Sequence, residues 1–314
     1  ELVQEAAGER QVVGTIGDGD HTLPTVENRF TVLVPVNRLD RAVDHARLAS
    51  RIGELYDGSP VVKVLNTVDI PDQADPAAFY DTAEERMRRL EDDLAEIEDE
   101  VAADLLAEGH ISRDVAFDIL QTARDDEVDR ILMGIPEEHP HITEKVEYET
   151  PCDTLFVSEE NPGDLSRVTI GAGGGPHHNA LLDLAERLAD VGSRIDVVSV
   201  DPEGETGIAE DVEPTLAVFD DDEDVHVHNL TGENIATTLV DKAAEQDAAL
   251  IIGATRTRFL RQWVFGSTTD RAVELGKQKG VPVVVYATSA AGGVRGRVDE
   301  ALFAPYRYLR KLLQ

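Results

Sequence analysis

Two short apolar runs, Ile131-Leu132-Met133 and Leu250-Ile251-Ile252, each stop at a glycine, Gly134 and Gly253. The same alternation of strand-like and helix-like segments precedes both. An order of elements that occurs twice confines the chain to two copies of one plan, and internal duplication is the economical reading. Strands separated by helices call for parallel sheets with helices on both faces, because right-handed crossovers leave few alternatives. The predicted fold class is therefore α/β, with two tandem doubly wound parallel five-stranded sheets.

In the first copy, Thr31–Val36 is a β-branched run, and Asp40–Tyr56 places Val43, Ala46, Ala49 and Ile52 at helical spacing. Val61–Val68 reads as the second strand. A long helix is predicted from Pro76 to Glu108 on the stripe Met87, Leu90, Leu94, Ile97 and Val101, followed by a third strand at Ser112–Phe117. A short helix over Ile119–Asp126, a fourth strand at Arg130–Met133, a helix near Thr143–Thr150 and a strand at Thr154–Val157 complete the copy.

After the turn-rich Asn161-Pro162-Gly163-Asp164 the order restarts. The second copy has strands at Val168–Ala172, Arg194–Val200, Val225–Asn229, Ala249–Ile252 and Val283–Ala287. Helices are predicted over His177–Val191 and Glu233–Gln246, with an acidic passage at Ile208–Phe219 in place of the long helix. The predicted domains are 30–160 and 165–290, flanked by a polar linker over 1–29 and an amphipathic helix over 296–314. The linker is glycine-dotted and reads as though cut from something longer.

In such sheets ligands sit at strand C-terminal ends, where strand order reverses. Gly266-Ser267 opens a helix running to about Lys279, with Ser267 or Thr268 as N-cap, and its free N–H groups make an anion site. The run Gly171-Ala172-Gly173-Gly174-Gly175-Pro176 faces it from the first strand. Arg256, Arg258 and Arg261 lie between these landmarks, with no acid between Asp247 and Asp270. Guanidinium groups match phosphate oxygens bidentately; they also suit carboxylates at a domain interface. Trp263 either stacks on a base or fills the core.

The charge balance supports a phosphate ligand only locally. With 29 basic against 63 acidic residues, net −34, most of the surface repels nucleic acid. So large an excess of carboxylates is expected in a protein adapted to high internal salt. The single cysteine, Cys152, excludes an internal disulfide and suits a reducing, cytoplasmic compartment. No window is apolar over the roughly 18 residues a bilayer span needs.

In these residues the chain resembles the universal stress protein family. The order β-α-β-α-β-α-β-α-β is similar to that fold, and so is Gly253-Ala-Thr-Arg256, nine residues, then Gly266-Ser267. The resemblance covers about 30–158 and 166–288. It implies that Gly253, Gly266, Ser267 and Thr268 hold the phosphates and ribose of ATP or another adenine nucleotide. Arg256 stands where the family has its second glycine, and Gly173 where it has the aspartate that receives adenine. Ala172 and, on their local positive charge rather than on the resemblance, Arg256, Arg258 and Arg261 are added to the candidate site. In the first copy Asn37 replaces that aspartate, the Gly-Ser is missing, and Glu137 and Glu138 would repel phosphate, so this copy reads as a structural partner.

The opening Val-Leu-Val-Pro-Val and the polar leader also resemble the cytoplasmic stress-protein modules of amino-acid permeases, some for cationic substrates. The resemblance implies a homodimer of tandem pseudo-dimers, tethered to the inner face of the membrane through a transporter domain. A stand-alone stress-response scaffold without a nucleotide and an ATP-cleaving enzyme are the other readings. No catalytic residue is assigned and none of the histidine groups, His139 with His141, His177 with His178, and His226 with His228, has zinc spacing. They are expected at the surface or an interface. The tail, with Leu302, Tyr306, Leu309 and Leu313 beside Arg307, Arg310 and Lys311, suits docking on its own domain or an anionic membrane.

Overall fold

The computed structural model describes residues 10–12, 28–135, 140–159, 161–173, 177–201, 219, 224–254 and 267–289. Of these, residues 10–154 with Ser289 form one compact unit and residues 155–288 a second.

Unit 1 runs β1 (Arg10–Val12), β2 (Arg29–Val36), α1 (Ala42–Gly53), β3 (Ser59–Asp69), α2 (Tyr80–Ala95), β4 (Asp104–Ser112), α3 (Val115–Asp125), β5 (Arg130–Gly134) and α4 (Pro140–Glu149). Its strand order is β1-β4-β3-β2-β5, parallel throughout except for β1. Val32, Leu33 and Val34 on the central β2 have no exposed surface. Three consecutive buried residues mean that both sheet faces are covered, as parallel sheets require.

The strand β6 (Asp153–Val157) straddles the division between the units. Unit 2 continues with β7 (Arg167–Gly171), α5 (His178–Asp190), β8 (Arg194–Asp201), β9 (Val225–Thr231), α6 (Ile235–Gln246), β10 (Ala249–Gly253), α7 (Ser267–Lys279) and β11 (Val283–Ala287). Its order β11-β10-β7-β8-β9 is parallel. The Ser158 N–H donates to Val283 O, and Ser158 Oγ accepts from the Val283 N–H, both at 2.9 Å, so chain just after β6 meets the edge of β11. Both units are doubly wound, with the reversal of strand order between β2 and β5 and between β7 and β10.

Three expectations are corrected. The long helix does not reach Glu108: α2 stops at Ala95, and Asp104–Ser112 is the third strand. Met87, Leu90, Leu94 and Ile97 are buried as the stripe requires, but Ile97 already lies in the turn that follows α2. Gly109 explains the strand, because a Cβ there would lie 2.4 Å from Met87 Cγ; β4 runs directly beneath α2. Of Ser112–Phe117, predicted as strand, only Ser112 belongs to β4 and the rest leads into α3: the Asp114 side chain accepts the Phe117 N–H at 2.9 Å as an N-cap. Finally, the leader is more than a linker, since Arg10–Val12 pairs antiparallel with the end of β4.

The outer strands of the two units carry matched polar pairs. With Gly134 set on Gly253, Arg130 falls on Ala249, and the pairings Val32 with Arg130 and Val168 with Ala249 equate Val32 with Val168. The register then carries Lys63 onto Asp196 and Glu108 onto His228. In unit 1, Lys63 pairs with Glu108 and with Asp126. The fully buried His110 sits 2.8 Å from Asp118 Oδ2 through Nδ1 and 2.6 Å from Glu108 Oε1 through Nε2. A carboxylate at each ring nitrogen makes both nitrogens donors, hence an imidazolium. Burial works against the Glu108 charge, but His110 and Lys63 hold its carboxyl well below the usual range. In unit 2, buried Asp196 accepts from His228 Nε2, with Lys242 Nζ 4.0 Å away.

Candidate functional site

The crevice of unit 2 lies where β7 and β10 end. Thr269, buried in the first turn of α7, donates its hydroxyl to Gly253 O at 3.1 Å, which fixes the N-terminal turn of α7 beside the last residue of β10. The Ala254 N–H donates to Tyr286 O at 2.9 Å, and the Ala172 N–H to Val198 O at 2.8 Å, so both strand ends are held from their outer neighbours. Gly173 follows as an exposed residue with no atom within 4 Å of where a Cβ would stand.

Gly253, Ala172, Gly173, Ser267 and Thr268 thus belong to the elements that border one crevice. Helix α7 starts at Ser267, so Thr268 lies inside the first turn and is not its N-cap. Arg256, Arg258, Arg261 and Gly266, together with Trp263, lie outside the described residues, as do His139 and the tail from 290 onward.

The histidines correct the sequence reading. His177 and His178 are not surface residues; they are 2% and 7% exposed. His177 Nδ1 accepts the Thr288 N–H at 3.1 Å and lies 2.9 Å from Thr288 Oγ1, so the ring ties the start of α5 to the end of β11. Its Cβ would stand 3.1 Å from a Cβ at Gly253. The glycine therefore makes room for an imidazole. Unit 1 repeats the device with a residue the sequence reading passed over: a Cβ at Gly134 would lie 3.2 Å from His45 Cε1 on α1. Burial, with Arg41 nearby, lowers His45 to about 4, and burial lowers His178 as well. A repeated small-residue strand end was visible in sequence, but the ring filling it was not, because the histidines occupy different helix positions.

The other polar groups narrow the chemistry. Cys152 is buried and its thiol is pushed up to about 12 by burial, far from a reactive thiolate. Among the described residues, no three His, Cys, Asp or Glu side chains come together as a metal site, and no helix is long and apolar enough to cross a membrane. For an adenine nucleotide, the first turn of α7 beside Gly253 fits the phosphate part. Gly173 supplies no side chain, so it offers no carboxylate to such a ligand.

No family model matches the chain, and no curated protein matches its sequence. Among solved structures it is similar to a universal stress protein from Archaeoglobus fulgidus DSM 4304, with a TM-score of 0.62 and 15% identity over 83% of this chain and 97% of that one. It is also similar to a protein of unknown function from Pseudomonas aeruginosa PAO1, with a TM-score of 0.49 and 16% identity over 82% of this chain and 92% of that one. The fold is thus that of the archaeal universal stress protein.

Proposed function

We propose that the chain is a two-unit regulatory module of the universal stress protein type, whose second unit binds an adenine nucleotide or another phosphate ligand. The observation that carries this reading is the Thr269 hydroxyl bonded to Gly253 O, which sets the first turn of α7 against the strand end. Free N–H groups of that turn attract an anion, and Arg256, Arg258 and Arg261 are close in sequence to add charge-assisted bonds. Occupancy of the crevice would be felt at Gly253 and, through His177 and Thr288, at the end of β11. Regulation, without catalysis, is the output.

The finer parts of the proposal are a cytoplasmic location as the appended module of an amino-acid transporter, pairing with a second chain, and adaptation to high salt. Coding sequence upstream of Glu1 with about ten apolar spans of roughly 20 residues each supports the transporter, and its absence removes it. The ligand is tested by titration calorimetry with ATP, ADP and AMP in multimolar KCl. One nucleotide is expected to bind, and the Arg256/Arg258/Arg261 triple alanine variant to bind it at least about tenfold more weakly. Absence of binding, or equal binding by the variant, leaves the scaffold reading.

A further inference from the structure

In a chain with 63 carboxylates and a net charge of −34, one half-buried arginine of unit 1 has no carboxylate partner among the described residues. Arg86 on α2 donates Nε–H to Asn66 Oδ1 at 3.0 Å and an Nη2–H to the carbonyl of Asn37. Asn66 is itself buried and donates Nδ2–H to Val36 O at 2.8 Å. Both acceptors of Arg86 are neutral. Among the described residues no carboxylate pairs with it, whereas its helix neighbours Arg88 and Arg89 pair with Glu85 and Asp92, and with Asp93. Burial pushes the guanidinium below its ordinary value, and the charge acting on it, Arg89, is also positive.

Neutral acceptors do not explain a cation here. A guanidinium offers five N–H donors, and two suffice for Asn37 and Asn66. A glutamine makes such bonds without the cost of half-burying a charge, which is high unless the charge is paired. The position supplies the reason. Asn37 follows the C-terminal end of β2 and Asn66 is near that end of β3, the side of an open α/β sheet where ligands bind. Against Gly134, which ends the adjacent β5, His45 of α1 is 8% exposed and its Nδ1 has no hydrogen-bond partner.

We propose that unit 1 has its own anion site, with Arg86 as anchor, for a small oxyanion such as phosphate or a carboxylate. The ligand is small because Arg86 and Asn66 already cap the carbonyls of Val36 and Asn37, so a base has no strand end to lie on. This site is held by a side chain of α2 rather than by a glycine loop, and it does not depend on the reading of unit 2.

The test is a nitrogen-15 NMR titration of the full chain with inorganic phosphate, succinate and AMP in turn. Phosphate or succinate is expected to shift the Arg86 Nε–H and Asn66 side-chain amide signals, and the probe that does so identifies the ligand chemistry. Arg86→Gln is expected to weaken the same binding, read at the Asn66 amide, at least about tenfold. Signals of Arg86 and Asn66 that stay fixed with both small anions overturn the site. Undiminished affinity in Arg86→Gln, or AMP binding there more tightly than phosphate, overturns it too. Shifts confined to Gly253 and Thr269 sink this proposal while leaving that for unit 2 intact.

Discussion

Lys63 with Glu108 in unit 1 and Asp196 with His228 in unit 2 occupy the same places in the register, with the carboxylate and its nitrogen partner exchanged between the strands. The pair binds the outer strand to its inner neighbour in both cases. What is retained is complementarity, since a buried carboxylate depends on having a nitrogen partner and not on which strand carries it. The surroundings follow the sign. Unit 1 has cationic Lys63 on β3 and adds Asp126, while unit 2 has anionic Asp196 and adds Lys242. Farther along, His110 is matched by Leu230, so the imidazole between two carboxylates has no counterpart at that place in unit 2.

The strongest way to break that equivalence is to exchange the signs in unit 2. Asp196→Lys alone sets a lysine against Lys242 and His228 and is expected to cost about 3–5 kcal/mol, as when one partner of a buried pair is lost. Adding His228→Glu and Lys242→Thr transplants the Lys63–Glu108 pair of unit 1, because with the N-caps Asp114 and Asn234 superposed Thr122 is the residue matched to Lys242. More than half of the lost stability should return in urea unfolding. A triple variant no better than the single one means that the two places are not equivalent.

A smaller effect separates the histidines at the glycine strand ends. His45 has a folded value of about 4 against an ordinary 6.5, so the unfolded chain takes up its proton first as pH falls. The stability this neutral imidazole contributes is complete above about pH 6.5 and is lost as pH falls through about 4. At pH 5 the loss is about 2 kcal/mol relative to pH 7. His45→Leu should abolish that part of the slope in urea midpoints measured from pH 7 to pH 5. Glu108, whose folded value is depressed, adds its own loss as pH drops below its ordinary 4.5. A slope in this window that His45→Leu leaves unchanged would assign it to unit 2, where burial lowers His178.

The contrast between the units also marks how far the sequence was legible. Both doubly wound sheets and the glycines ending β5 and β10 followed from periodicity and duplication. The third strand of unit 1 did not, for a physical reason. Leu105 to Gly109 does not alternate, because β4 passes from half-buried to buried along its length, while Met87 to Val101 keeps a helical spacing through the turn. Asp114 was the readable cap, and Val115 with Phe117 imitated alternation beside it. Arg86 could not be singled out, since its meaning lies in the absence of a partner. The charge network of Lys63, Glu108, His110 and Asp118 was equally hidden, because register alone brings these residues together.

The smallest expected change in stability carries the sharpest functional contrast between the crevices. In unit 1 Asn37, the residue after β2, is held by Arg86, whereas its counterpart after β7, Gly173, is exposed with nothing near its missing Cβ. Its φ is not positive, so the backbone accepts any residue. Gly173→Asp is therefore expected to alter stability by no more than about 0.5 kcal/mol. If the crevice of unit 2 takes an adenine nucleotide, an aspartate there restores a carboxylate for the base. ATP should then bind more tightly while inorganic phosphate binds as before. Equal gains for both would mean that the added group acts on the fold, and equal losses that the negative charge repels a phosphate seated much closer to β7 than the Thr269–Gly253 bond implies.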